Sequence, residues 1–327
     1  MGRAMVRLIA AAWSVVAVLP AAADRATQAH SIEAGGLTRT YLLHVPPTLP
    51  AGPAPLVLVL HGGGGNGPGT ERLTRFSELA DRERLLVAYP EGVGRNWYDG
   101  REFASGSRAH RERIDDVGFV AAMLDAIARV HAVDPRRIYA TGISNGAVFS
   151  HYLAAHLSPR IAAIAPVVGG IADPPDAWLR PDRPVSVLIL QGTTDPLVPY
   201  RGGAIAFGRG RIIDTEDAAR RWARLNGAAP EPRSTVLPAP GKDHCGGLRL
   251  TYSGGRDGSC GSTGAATRGP AALSISRKGP SAASVATGAP PRSSGSSSAP
   301  IPSRSAVCSA PRQSVIANPH PTNRRSQ

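Results

Sequence analysis

Long apolar runs are scarce in this 327-residue chain. The one near the N-terminus, residues 8–19, is much shorter than the about 20 apolar residues a membrane span needs. Arg3 and Arg7 precede it, and Pro20 and the small residues Ala21, Ala22 and Ala23 follow. This is the pattern of an export signal cut before Asp24, so residues 1–23 are expected to be removed and the mature chain to be periplasmic or extracellular, with no membrane contact after cleavage. Cysteine is equally sparse. Cys245, Cys260 and Cys308 lie far apart, which excludes a metal-ligand spacing and argues against a disulfide framework.

Acidic and aromatic residues are missing altogether from residues 259–327, which hold eight Lys or Arg, no Asp or Glu, and no Phe, Trp or Tyr. Removing those eight cations and the two in the export signal from the formal charge of +13 leaves only +3 for residues 24–258. A nucleic-acid binder needs a basic face on a folded domain, and the body of the chain offers no such imbalance. The tail, rich in Ser, Ala, Pro and Gly without apolar periodicity, cannot bury enough surface to offset its ordering entropy, so it is expected to be disordered.

What is present lies mostly between residues 38 and 252. Short apolar runs at residues 38–45, 56–60, 85–90, 137–140, 161–168 and 185–191 read as strands. The second, PLVLVL, has apolar residues at every position, as a strand covered on both faces does. Helical patterns fall at residues 70–84, 115–130, 147–156 and 215–226. Within 115–130, Phe119, Val120, Met123, Leu124, Ile127 and Val130 recur at helical spacing. The alternation predicts a mainly parallel sheet with helices on both faces, and such sheets form sites at the carboxyl ends of their strands.

Three segments at those ends carry chemistry. Gly142-Ile143-Ser144-Asn145-Gly146 sits between a strand and a helix, the setting that presents a nucleophilic serine on a tight turn. The competing reading is a helix-capping serine. His61 and the glycines Gly62 to Gly65 follow the buried strand. Their backbone N–H groups suit an oxyanion, with Gly63 (or a neighbouring glycine) and the Asn145 amide as donors. No G-K-[ST] ending follows, which disfavours a phosphate loop, and His61 reads as structural. Asp195, after the strand ending at Gln191, follows the serine in the order expected of an orienting acid, although a turn aspartate before proline is the alternative.

The segments LVLVLHGGGGNG (56–67), NWYDG (96–100), DDVGFV (115–120), VDPRRIYATGISNGA (133–147) and QGTTDPLVPYRGG (191–203) resemble the polyhydroxybutyrate depolymerase and feruloyl esterase group of secreted α/β-hydrolases. The resemblance implies an α/β-hydrolase fold over residues 24–258, ester hydrolysis through an acyl-enzyme, Ser144 as nucleophile and Asp195 as acid. It also implies a polyester or esterified polysaccharide substrate and no cofactor. Trp97 and Tyr98 read either as pocket lining or as packing.

The family's pattern then calls for a histidine in a segment reading GGGHTWPG, and this chain has none. His244 and His320 are the two histidines after Asp195, and both read as bystanders. Combining the third base of each codon with the first two of the next permits GGGHTWPGGPQYLP across residues 263–277, and TAVIWEFF across residues 289–298. The expectation is that one nucleotide was lost, or two gained, near codons 258–260, so that 259–327 is a frameshifted product. Without its base the chain as written would be a catalytically dead esterase-like protein, at most a binding module.

Overall fold

In the computed structural model, residues 27–102, 106–238 and 246–254 are described in full, and 260–267 and 272–277 by their backbone. The chain starts with a hairpin, β1 (Gln28–Ala34) and β2 (Leu37–His44). Gly35 and Gly36 form its two-residue loop with φ of 58° and 72°, the backbone that a twisted hairpin of this length demands and glycine supplies. β3 (Ala54–Leu60), α1 (Gly67–Thr74), α2 (Phe76–Glu83), β4 (Leu86–Pro90), the short α3 (Arg108–Arg111), α4 (Asp116–Val130), β5 (Val133–Ile143), α5 (Asn145–His156), β6 (Ala163–Val167) and β7 (Ser186–Gly192) follow. A small pair, β8 (Gly203–Ala204) and β9 (Arg211–Ile212), precedes α6 (Thr215–Leu225), β10 (Arg233–Leu237) and β11 (Gly247–Thr251).

The sheet order runs β1-β2-β4-β3-β5-β6-β7. β1, β2 and β4 pair antiparallel, whereas β4, β3, β5, β6 and β7 form a parallel block. This is the mainly parallel, helix-covered α/β sheet expected. β3 shows why its sequence is apolar throughout. Leu56, Leu58 and Leu60 join Phe119, Met123 and Phe149 in one core cluster, while Val57 and Val59 pack with Ala80, Val87 and Tyr89 in another. Alternate side chains point to opposite faces, and both faces are covered.

Three local expectations differ from the structure. The helix over 70–84 is two helices, because Arg75 adopts φ 55° and ends α1 with its N–H on the Glu71 carbonyl. Phe76 can then start α2 and pack against the second cluster. Val130 is 76% exposed, since it ends α4 beyond the stretch that faces the sheet. After residue 258, where no regular structure was expected, the backbone forms β12 (Cys260–Thr267) and β13 (Ala272–Arg277). Both lie on the open side of β7, where unpaired N–H and C=O groups template a further strand.

Candidate active site

The parallel block brings the ends of β3, β5 and β7 to one edge. Gly142 at the end of β5 pairs with Leu60 at the end of β3 on one side and Pro166 on the other. The chain then turns sharply into α5 at Ser144, whose φ of 54° and ψ of −117° lie where non-glycine residues are rare and strained. Its amide donates to the Val167 carbonyl at 3.0 Å, and its carbonyl accepts from Ala147 and Val148. The turn has no room for side chains on either side. A Cβ on Gly142 would come within 2.6 Å of the Gly146 backbone, and one on Gly146 within 2.5 Å of the Leu60 and His61 carbonyls. Gly146→Ala is therefore expected to cost about 1–3 kcal/mol or more, lowering the melting temperature by about 2–4 °C per kcal/mol in a domain of this size. An unshifted melting curve would show that the turn is looser than these contacts require.

Ser144, Asn145, Gly63 and Gly64 line one cavity of about 290 Å³, together with Asn96, Arg101, Ser107, His110, Val148, Val198, Ile205 and Arg209. The Gly64 amide donates to Arg95 and the Gly65 amide to Gly62, while Gly63 has no backbone partner among the described residues. That places the Gly63 and Asn145 backbones around the serine, as an oxyanion site needs.

The Asn145 side chain explains why the NWYDG segment belongs to this site. Its Oδ1 accepts from the Trp97 amide at 2.9 Å, and its Nδ2 donates to the Trp97 carbonyl at 3.1 Å and to Asp99 Oδ2 at 2.6 Å. Trp97 is fully buried, stacked on Phe149 and tilted against His61, with its indole N–H on the His61 carbonyl. It is packing, and neither it nor Tyr98 lines the cavity.

Asp116 holds the same segment from behind. Its carboxylate accepts from Arg39 at 2.6 Å and from the Tyr98 amide at 2.7 Å. Burial raises it to about 6 despite the Arg39 charge and the Tyr98 amide. Arg39 also lies 4.0 Å over the Phe119 ring. Arg39→Met is expected to cost about 3–5 kcal/mol, because it strands a buried carboxylate. Chemical denaturation measures this, and a loss under about 1 kcal/mol would remove the pair from the list of supports.

The histidines near the serine are otherwise engaged. His61 is buried, its Nε2 accepts from the Gly92 amide at 2.9 Å, and its Nδ1 meets the Gly62 carbonyl at 2.8 Å. Burial lowers its pKa, and the nearby Arg95 adds to that. His151 on α5 accepts from the Trp222 indole and is pushed by burial down to about 3. Among the described residues no side chain hydrogen-bonds the Ser144 hydroxyl. His244 and His320 lie outside the described residues. Asp195 sits just past β7, its Oδ1 accepting from Leu197 and Val198, both at 2.8 Å. Its Oδ2 has no hydrogen-bond donor among the described residues. Asp195 is not part of the cavity wall, although Val198 is.

Residues 39–173 match the sequence profile described as esterase PHB depolymerase. That stretch, less than half of the chain, carries both the glycine loop after β3 and the turn at Ser144. A protein of Nocardia uniformis subsp. tsuyamanensis named "Putative esterase NocK" is 34% identical over 66% of this chain and 65% of its own length. Feruloyl esterase B of Piromyces equi is 30% identical over 56% of the chain and 34% of its own, and poly(3-hydroxyalkanoate) depolymerase C of Paucimonas lemoignei 31% over 39% and 30%. The chain thus spans from under a third to just under two thirds of the length of these relatives. The fold is similar to that of an acetyl xylan esterase from Aspergillus awamori, at a TM-score of 0.51 and 15% identity, covering 73% of this chain and 91% of that one.

Proposed function

We propose that this chain derives from a secreted serine carboxylic ester hydrolase in which Ser144 is the nucleophile, the Gly63 and Asn145 amides hold the oxyanion, and Asp195 orients a histidine. The strained turn at Ser144 carries the reading. It costs the fold backbone energy that a mere capping serine would not require, and it opens on the cavity beside the glycine loop. The hydroxyl would attack the ester carbonyl as the histidine takes its proton, and water would then release the acid from the acyl-enzyme. The relatives' names favour a polyester or esterified polysaccharide as substrate. Arg3 and Arg7 before the N-terminal apolar run, with Pro20 and Ala21 to Ala23 after it, support export of the chain through a signal at residues 1–23.

The histidine belongs to the other reading frame of the tail. In that frame it would arise from the codons of Ala266 and Thr267. The backbone pairs Ala266 with Gln191 and Thr267 with Gly192, three residues before Asp195. That register supports a base delivered to the same sheet edge as the acid and the serine. Resequencing the locus tests the frame: an intact frame through residues 259–327 as written would sink it. Hydrolysis of a short-chain p-nitrophenyl ester, compared between the chain as written and a frame-restored chain, tests the function. Comparing polyhydroxybutyrate with methyl ferulate then separates the substrate classes.

A further inference from the structure

The cavity that holds Ser144 has a second serine on its wall. Ser107 precedes α3, where an N-cap serine would ordinarily turn its hydroxyl to the helix's own N–H groups. Here the side chain makes no such bond. Its Oγ lies 2.9 Å from His110 Nδ1, and His110 Nε2 lies 3.1 Å from Asp99 Oδ1. Exposure falls along the series: Ser107 is half-buried, His110 is 7% exposed and Asp99 is fully buried. Both Ser107 and His110 face the cavity.

Asp99 stays ionised in this setting. Burial on its own would raise its pKa, but the Arg101 charge and the hydrogen bonds from His110 and Arg101 outweigh that and hold it at about 2. Arg101 grips both carboxylate oxygens at 2.6 to 3.0 Å, and Asn145 adds a bond to Oδ2. A fixed carboxylate at Nε2 selects the imidazole tautomer with its proton there, leaving Nδ1 as the acceptor for the Ser107 hydroxyl.

We propose that Ser107, His110 and Asp99 form a second proton relay on this cavity, with Ser107 as an acylable hydroxyl for small esters. Ser107 Oγ bonds to the ester carbonyl carbon while its proton passes to His110 Nδ1. The ester C–O bond then breaks, and the departing alkoxide takes that proton and leaves as the alcohol. The acyl group stays on Ser107 until water releases it as the acid. The relay does not depend on Ser144 and accepts acyl groups small enough for a cavity of about 290 Å³.

The test uses the full chain carrying Ser144→Ala, exposed to p-nitrophenyl acetate, with the adduct mapped by fragment-ion mass spectrometry. Acetylation is expected on Ser107, distinguished from Ser105 in the same tryptic peptide. Adding His110→Gln is expected to slow it about 10²-fold, the lower end of what a positioned base contributes. No adduct on Ser107 in the folded protein, or an unchanged rate with His110→Gln, overturns the proposal. Should His110→Gln not fold, the comparison is within the Ser144→Ala chain. There Ser107 must label at least about tenfold faster than the exposed Ser31, a smaller margin than a positioned base gives, and equal rates overturn the relay. Because Ser144 is absent from every arm, failure here leaves the reading of Ser144 untouched.

Discussion

Restoring the tail's reading frame is expected to raise kcat for a short-chain p-nitrophenyl ester by about 10⁴- to 10⁶-fold, the scale on which a nucleophile depends on its base. The chain as written holds the turn at Ser144 and the glycine loop after β3, which on the proposed reading would supply only residual catalysis without a base. Its described histidines cannot substitute at Ser144. His61 has both nitrogens committed to backbone groups, His151 is neutral and bonded to Trp222 in the core, and His110 faces Ser107 and Asp99. Activities of the two chains within about tenfold of each other would refute the account of the missing histidine, given that scale.

The second large effect is that of Ser144→Ala, and it should depend on the frame. In the restored chain the substitution is expected to remove about the same 10⁴- to 10⁶-fold, because nucleophile and base act as one unit and their losses do not add. In the chain as written it is expected to cost less than about tenfold, since the unit is already broken. Paired kcat measurements on the four chains settle this. Full activity in the restored Ser144→Ala chain would exclude Ser144 as the nucleophile, and a loss of equal size in both frames would mean that a base already serves the chain as written.

Much of the site was legible because its constraints are local. Gly142 and Gly146 are glycines because a Cβ at either would meet backbone within 2.6 Å, and a turn that tight leaves a short, readable pattern. The strand and helix around Ser144 were legible from apolar periodicity for the same reason. Other features carried no local signal. The break at Arg75 is set by a left-handed residue with no glycine to mark it. The antiparallel β1 alternates too weakly in hydrophobicity to stand out from a loop. Asn145 passes in the sequence for a variable position of the motif, yet its side chain holds Trp97 and Asp99. Nothing in the spacing of Asp99, Ser107 and His110 announces a relay.

By itself the sequence determined the alternating α/β plan, the serine turn, the glycine loop after β3 and the absence of the expected histidine motif. Each of these is written in the identity of residues that are neighbours in the chain. Only the tertiary structure decided which side chains meet across it. It put Trp97 in the core rather than on the cavity wall, set Arg39 against Asp116, and brought Ser107 and His110 onto the cavity of Ser144. Those pairings join residues separated by 34 to 77 positions, so they follow from strand register and packing, which no local pattern encodes.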